Sequence, residues 1–266
     1  MTSFLRFAGL VVFMALSIAV PPSVAQTAGV NDGITKQTVE RDSSSLRIAV
    51  ASNFYATAKL LIERYQRSSS TELSLLVAST GKHTAQIQYG LAVDLFLAAD
   101  QHSPSILEKA GFAVPGTRFN YASGRLVLWS ADASLVDANG QVLVDEEFAH
   151  IAIANPKLAP YGRAAMQLLS NKGVIEQMAA KLVRGDSIGQ AFQFVSSGNA
   201  EIGLLAYSQI LSLAQGSYWL VPSDLHEPIL QTGVIIKDSQ AVRNLVAFLQ
   251  SEEALSLIEA QGYSRP

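Results

Sequence analysis

Cysteine is absent from all 266 residues. That excludes disulfides, so stability rests on the packing of a core. Charge is sparse as well: 15% of residues are charged and the formal net charge is −3. A chain with no basic excess lacks the electrostatic footprint of a nucleic-acid partner or an anionic membrane surface. The four histidines, His83, His102, His150 and His226, have no metal-ligand spacing. His-Glu-x-x-His does not occur. No internal repeat is visible, and the long apolar run is confined to Phe7–Val20.

That run follows a single basic residue, Arg6, and precedes the small residues Ser23 and Ala25. It is too short to span a bilayer and has no stop-transfer flank, so residues 1–25 read as a secretory signal peptide. Part of the mean hydropathy of +0.24 comes from it. Residues 26–45 are polar and without periodicity, and are expected to form a disordered mature tail. Export without cysteine also removes the lipid-bearing residue of exported lipoproteins, so the mature chain is expected free in the periplasm, with no membrane insertion.

From Leu46 onward, short apolar runs alternate with helical patterns. Leu46–Ala51, Glu72–Val77, Asp94–Ala99, Arg125–Ser130, Ile151–Ala154, Glu201–Ala206, Tyr218–Val221 and Gln231–Lys237 read as strands. Phe54, Ala58, Leu61, Ile62 and Tyr65 share one face of a helix, and further helices are expected over Thr84–Tyr89, Pro104–Ala110, Gly162–Leu169, Val174–Leu182, Ile188–Val195, Ala241–Gln250 and Glu252–Gln261. This alternation predicts an α/β protein with parallel sheets covered by helices on both faces.

The joints between these elements carry the chemistry. Ala78-Ser79-Thr80-Gly81 ends a strand and starts a helix. The first N–H groups of a helix have no internal partner and the helix dipole makes that end positive. Hydroxyls and an approachable glycine there make a ready anion site. Ala51-Ser52-Asn53, Asn155 to Gly162 and Gly185 to Gly189 have the same character. Ligands of open α/β sheets bind at such strand ends.

Competing readings are weaker. Ser79-x-x-Lys82 matches the nucleophile pattern of penicillin-binding enzymes, but the partner Ser-Asp-Asn and Lys-Thr-Gly motifs are missing. Gly81-Lys82 lacks the first glycine of a phosphate loop, and His83 stands where Ser or Thr would hold magnesium. Lys82 is expected to be a solvated rim charge. Tyr121 and Trp129 are expected in the core or at a hinge.

Taken together, Ile48-Ala-Val-Ala-Ser-Asn-Phe54, Ala78-Ser-Thr-Gly-Lys82, Val93-Asp-Leu-Phe-Leu-Ala-Ala-Asp100, Ala152 to Gly162 and Gly198-Asn-Ala-Glu-Ile-Gly203 give a specific likeness. From Leu46 to the C-terminus the chain resembles the periplasmic molybdate-binding proteins of ABC transporters, a branch of the type II periplasmic binding proteins. The resemblance implies two lobes, each a mostly parallel sheet flanked by helices, joined by two crossing strands. Residues 46–122 with 222–266 would form lobe I, and 123–221 lobe II. It implies a non-enzymatic, monomeric receptor, with no cofactor, that seals molybdate or tungstate between its lobes for an inner-membrane ABC permease. By the same resemblance the oxyanion ligands are Ser52 with Asn53 beside it, Thr80, and the backbone N–H groups of Tyr161 and Ile188. All would touch oxygen, and none would bind the metal directly. Ala206 stands where many members place a tyrosine, with Tyr207 one residue on, and a strand reverses side-chain direction at each residue. A receptor for another oxyanion such as sulfate, or an exported serine hydrolase, are the alternatives.

The chemistry is coherent on its own terms. A doubly charged tetrahedral oxyanion offers only acceptors, and a hydrogen bond to a charged group is worth about 1.5–3 kcal/mol. Several neutral donors in a dry cleft reach micromolar affinity, about −8 kcal/mol. A protonated anion would bring a donor that meets only donors, and is disfavoured for that reason.

Overall fold

The computed structural model describes residues 45–145, 148–213 and 215–266. The expected signal peptide and all of the expected tail but Ser45 lie outside them. Ser45 opens the first strand.

In chain order, the first part comprises β1 (Ser45–Ala51), a 3-10 turn (Ser52–Phe54), α1 (Tyr55–Tyr65), β2 (Glu72–Ala78), α2 (Thr80–Gln88), β3 (Leu95–Ala98), α3 (His102–Lys109) and β4 (Phe119–Gly124). The second comprises β5 (Leu126–Ser130), α4 (Val142–Asp145), β6 (Ile151–Ala154), α5 (Pro160–Asn171), α6 (Ile175–Met178), β7 (Leu182–Gly185), α7 (Ile188–Ser196), β8 (Ile202–Ala206), α8 (Tyr207–Ile210) and β9 (Ser217–Leu220). After a 3-10 turn at Ser223–Leu225, the chain returns as β10 (Ile229–Ile235), α9 (Gln240–Leu249) and α10 (Glu252–Ala260).

Two five-stranded sheets result, ordered β2-β1-β3-β10-β4 and β7-β6-β8-β5-β9. The two orders follow one plan. Each sheet has three parallel strands, then two antiparallel pairings at the strands by which the chain enters or leaves. The sheets are therefore mixed, with the expected parallel pairing confined to β2-β1-β3 and β7-β6-β8.

The central strands β3, β6 and β8 are apolar throughout because helices cover both faces. β3 and β6 are buried at every residue. The helices supply matching faces: Thr57, Ala58, Leu61 and Tyr65 of α1 are buried, and Ser187, Ser239 and Ser251 cap α7, α9 and α10 by accepting from an N–H three residues on. Tyr121 packs on Phe54 in the first core, and Trp129 stacks on Phe192 in the second. Among the described residues no helix is long and apolar enough to cross a membrane.

Three expectations change. The helix expected over Val174–Leu182 shrinks to α6, because Leu182–Gly185 pairs with β6 as an edge strand. The sheet gains β4, which pairs with β10 as far as Gly124, opposite Ile229. The first crossing thus falls at Arg125 rather than after Ala122. The return crossing is not a strand: Pro222 and Pro228, which have no N–H to give a ladder, bracket the 3-10 turn.

Candidate functional site

Four strands end where the two lobes meet. β1 and β2 of the first lobe lead into the Ser52 turn and α2, while β6 and β7 of the second lead into α5 and α7. Hydrogen bonds join these starts across the gap. The Gly81 N–H donates to the Leu158 carbonyl at 2.8 Å, and the Gly189 N–H donates to Ser52 Oγ at 3.3 Å. Ser208 Oγ donates to the Asn53 carbonyl and to Tyr263 Oη. Lys82 pairs with Asp186 at 2.7 Å above one mouth of the contact, a depression of about 510 Å³ lined by Ser52, Ser79 and Gly189. Arg163 pairs with Asp100 at 2.5 Å above the other, of about 540 Å³. The lobes are shut on one another, and Asn53, Ser79, Thr80, Tyr161 and Ile188 are all at most 3% exposed.

The sequence-predicted residues take distinct places here. Ser52 Oγ accepts from Gly189, which leaves its own O–H to donate elsewhere. Thr80 Oγ1 accepts from the Ala99 N–H at 3.0 Å, so its proton is likewise available. Tyr161 and Ile188 occupy the first turns of α5 and α7, where N–H groups lack intrahelical partners. Asn53 differs. Its side-chain amide donates to Gln231 Oε1 at 3.0 Å and Tyr263 Oη at 3.2 Å, inside the first lobe. What Asn53 can present to the gap is backbone.

Ser79 was legible as a hydroxyl of the loop but was not among the assigned ligands. It caps α2 in extended conformation without a side-chain cap bond, and its buried Oγ has no partner. A buried hydroxyl without a partner is costly unless something meets it. Nor does Lys82 serve Ser79 as a base, since its ammonium is committed to Asp186. Tyr207 opens α8, with its ring beneath the Arg125 guanidinium and beside Tyr218. Its ring is thus engaged by Arg125 and Tyr218.

Electrostatically the gap is a set of neutral donors. At its mouths Lys82 and Arg163 are each held by an aspartate, and Lys157 lines the second mouth beside Arg163. Burial raises the pKa of the Tyr121 and Tyr161 hydroxyls well above the usual value and pushes Tyr263 up to about 12, so all three stay neutral. No group of three or more histidine or carboxylate residues suited to a metal ion occurs among the described residues.

Two α/β lobes, crossed twice by the chain and closed on a seam of helix starts, define a receptor that captures a small solute. The chain belongs to the bacterial extracellular solute-binding proteins, whose family model matches residues 46–264. It is 45% identical to the molybdate-binding protein ModA of Azotobacter vinelandii over 83% of this chain and 90% of that protein. It is 41% identical to ModA of Rhodobacter capsulatus, over 81% of this chain and 86% of that one. The solved periplasmic molybdate-binding protein of Azotobacter vinelandii superposes with a TM-score of 0.79 at 38% identity, covering 83% of this chain and 99% of that chain.

Proposed function

We propose that this chain is a periplasmic receptor that captures molybdate, or tungstate, between its lobes and hands it to an inner-membrane ABC permease. The observation that carries the reading is the seam itself: four helix starts, hydroxyls of Ser52 and Thr80 whose acceptor side is already occupied, and a buried Ser79 hydroxyl with no partner. Such a set is complementary to a dianion whose oxygens only accept. The metal atom arrives inside the oxyanion and is not ligated by the protein, so the oxygens take every contact. The Ser52, Ser79 and Thr80 hydroxyls and the first-turn N–H groups of Tyr161 and Ile188 are the donors. The kinship with molybdate-binding proteins supports the choice of ion. Export through residues 1–25, a free monomeric mature chain and the absence of catalysis belong to the same reading.

Ligand that binds only the folded form stabilises it by mass action, about 2.7 kcal/mol at a hundredfold excess over Kd. For a domain of this size that raises Tm by roughly 5–10 °C. Thermal unfolding with and without millimolar sodium molybdate tests this, and an unmoved Tm contradicts it.

A further inference from the structure

We propose that Gly124 is the residue that permits the lobes to close, by offering bare backbone to the Tyr161 ring of the opposite lobe. This rests on the receptor reading above.

Gly124 ends β4 in the first lobe, paired with Ile229, one residue before the crossing at Arg125. Its backbone is not in the left-handed region, so conformation alone does not demand glycine. Space does. A Cβ added there would stand 2.3 Å from Tyr161 Oη, 2.9 Å from Tyr161 Cζ and 3.0 Å from Gln231 Nε2. Tyr161 cannot give way easily, because it is 1% exposed and lies in the first turn of α5. Neither Tyr161 Oη nor Gln231 Nε2 has a hydrogen-bond partner. What holds this contact is therefore fit, and the fit exists only while α5 is pressed against β4.

One residue thus joins two jobs. The Tyr161 backbone N–H, in the first turn of α5, is a donor of the proposed site, while its ring rests on the pivot strand. A methyl group at Gly124 would prop α5 away from β4 and carry the Tyr161 N–H out of reach of the ion. It would do so without altering any donor, and within the first lobe the added Cβ meets only the end of the Gln231 side chain, at 3.0 Å.

The test uses the full mature chain carrying two introduced cysteines, one on each lobe, for spin labels; the native chain has none to interfere. Interlobe distance and molybdate affinity are measured for wild type, Gly124→Ala, Tyr161→Ala and the double variant. Tyr161→Ala keeps the N–H and removes the ring. Gly124→Ala is expected to bind at least tenfold more weakly and to keep an open-lobe distance at ion concentrations that close the wild type. In the Tyr161→Ala background, adding Gly124→Ala should change both readings far less than it does in the wild type, since the ring is gone and only the Gln231 side chain, at 3.0 Å, remains to shift. If Gly124→Ala does not fold, Tyr161→Trp probes the same contact from the other lobe, with the same expected weakening and open distance. A Gly124→Ala protein that closes and binds like wild type overturns the gate alone, as does an equal penalty in both backgrounds. A wild type that neither closes nor binds with molybdate or tungstate overturns the receptor reading and the gate with it.

Discussion

Lys82 and Asp186 meet across the seam at 2.7 Å, one from the first turn of α2, the other from the loop before α7. Lys82, which lines the depression beside Ser52 and Ser79, therefore spends its charge on a carboxylate. Both side chains are substantially exposed, 45% and 62%. Exposed pairs contribute about 0–1 kcal/mol.

Lys82→Ala is accordingly expected to weaken molybdate binding by no more than about fivefold, the equivalent of 1 kcal/mol. That difference should shrink between low salt and about 0.15 M salt, where the Debye length is near 8 Å. Titrations at the two ionic strengths measure it. A loss of a hundredfold, unmoved by salt, would mean that a cation holds the ion.

The neighbouring hydroxyls separate affinity from stability. Ser79 Oγ makes no bond to the protein, whereas Thr80 Oγ1 accepts from the buried Ala99 N–H. Ser79→Ala should cost about 1.5–3 kcal/mol of binding, tenfold to a hundredfold, and leave the ligand-free Tm unchanged or raised. Thr80→Ala should cost similar affinity and also lower the ligand-free Tm, because the Ala99 N–H is left unpaired. Thr80→Ser should be mild in both. Calorimetry and thermal unfolding on the three proteins read the pattern, and a drop in ligand-free Tm for Ser79→Ala alone would reverse it.

His83 sets a pH dependence of stability. Its ring is buried behind the Thr80 loop, with Nε2 donating to the Val50 carbonyl at 3.2 Å and Nδ1 lying 3.2 Å from Gln86 Oε1. Burial holds its pKa below the usual 6.5, outweighing the upward pull of the hydrogen bonds with Gln86 and Val50. Between the folded value and 6.5 the unfolded chain binds the extra proton, so stability rises with pH there. The contribution is fully present above about 6.5 and is lost as pH falls through the folded value. Ligand-free Tm should fall from pH 7.5 to 5, and fall less in His83→Gln. An equal fall in both would assign the dependence to other groups.

The elements that position the seam were legible because their signals are local. Glycine, serine, threonine and asparagine at strand ends marked the loops, and apolar runs of four to seven residues marked β1, β3, β5, β6 and β8. β7 escaped because Leu-Val-Arg-Gly has no alternation and owes its state to pairing with Ile151–Ala154. β4 escaped because Phe119–Gly124 mixes polar and small residues and is fixed by β10, over a hundred positions away. The side chain of Asn53 could not be read at all. Its partners Gln231 and Tyr263 lie 178 and 210 residues further on. The same holds for Ser79, whose lack of a partner is a property of the closed lobes, and for Gly124, where conformation gives no hint and only the approach of Tyr161 does.

Isothermal titration of the mature protein with molybdate, tungstate, sulfate and phosphate at neutral pH addresses the central claim most directly. Neutral donors around a dianion predict one site per chain for molybdate and tungstate, with Kd of micromolar or tighter, about −8 kcal/mol. Monohydrogen phosphate, whose O–H would face only donors, should bind at least a hundredfold more weakly. Phosphate bound as tightly as molybdate, or no saturable heat with either metal oxyanion, would contradict the account.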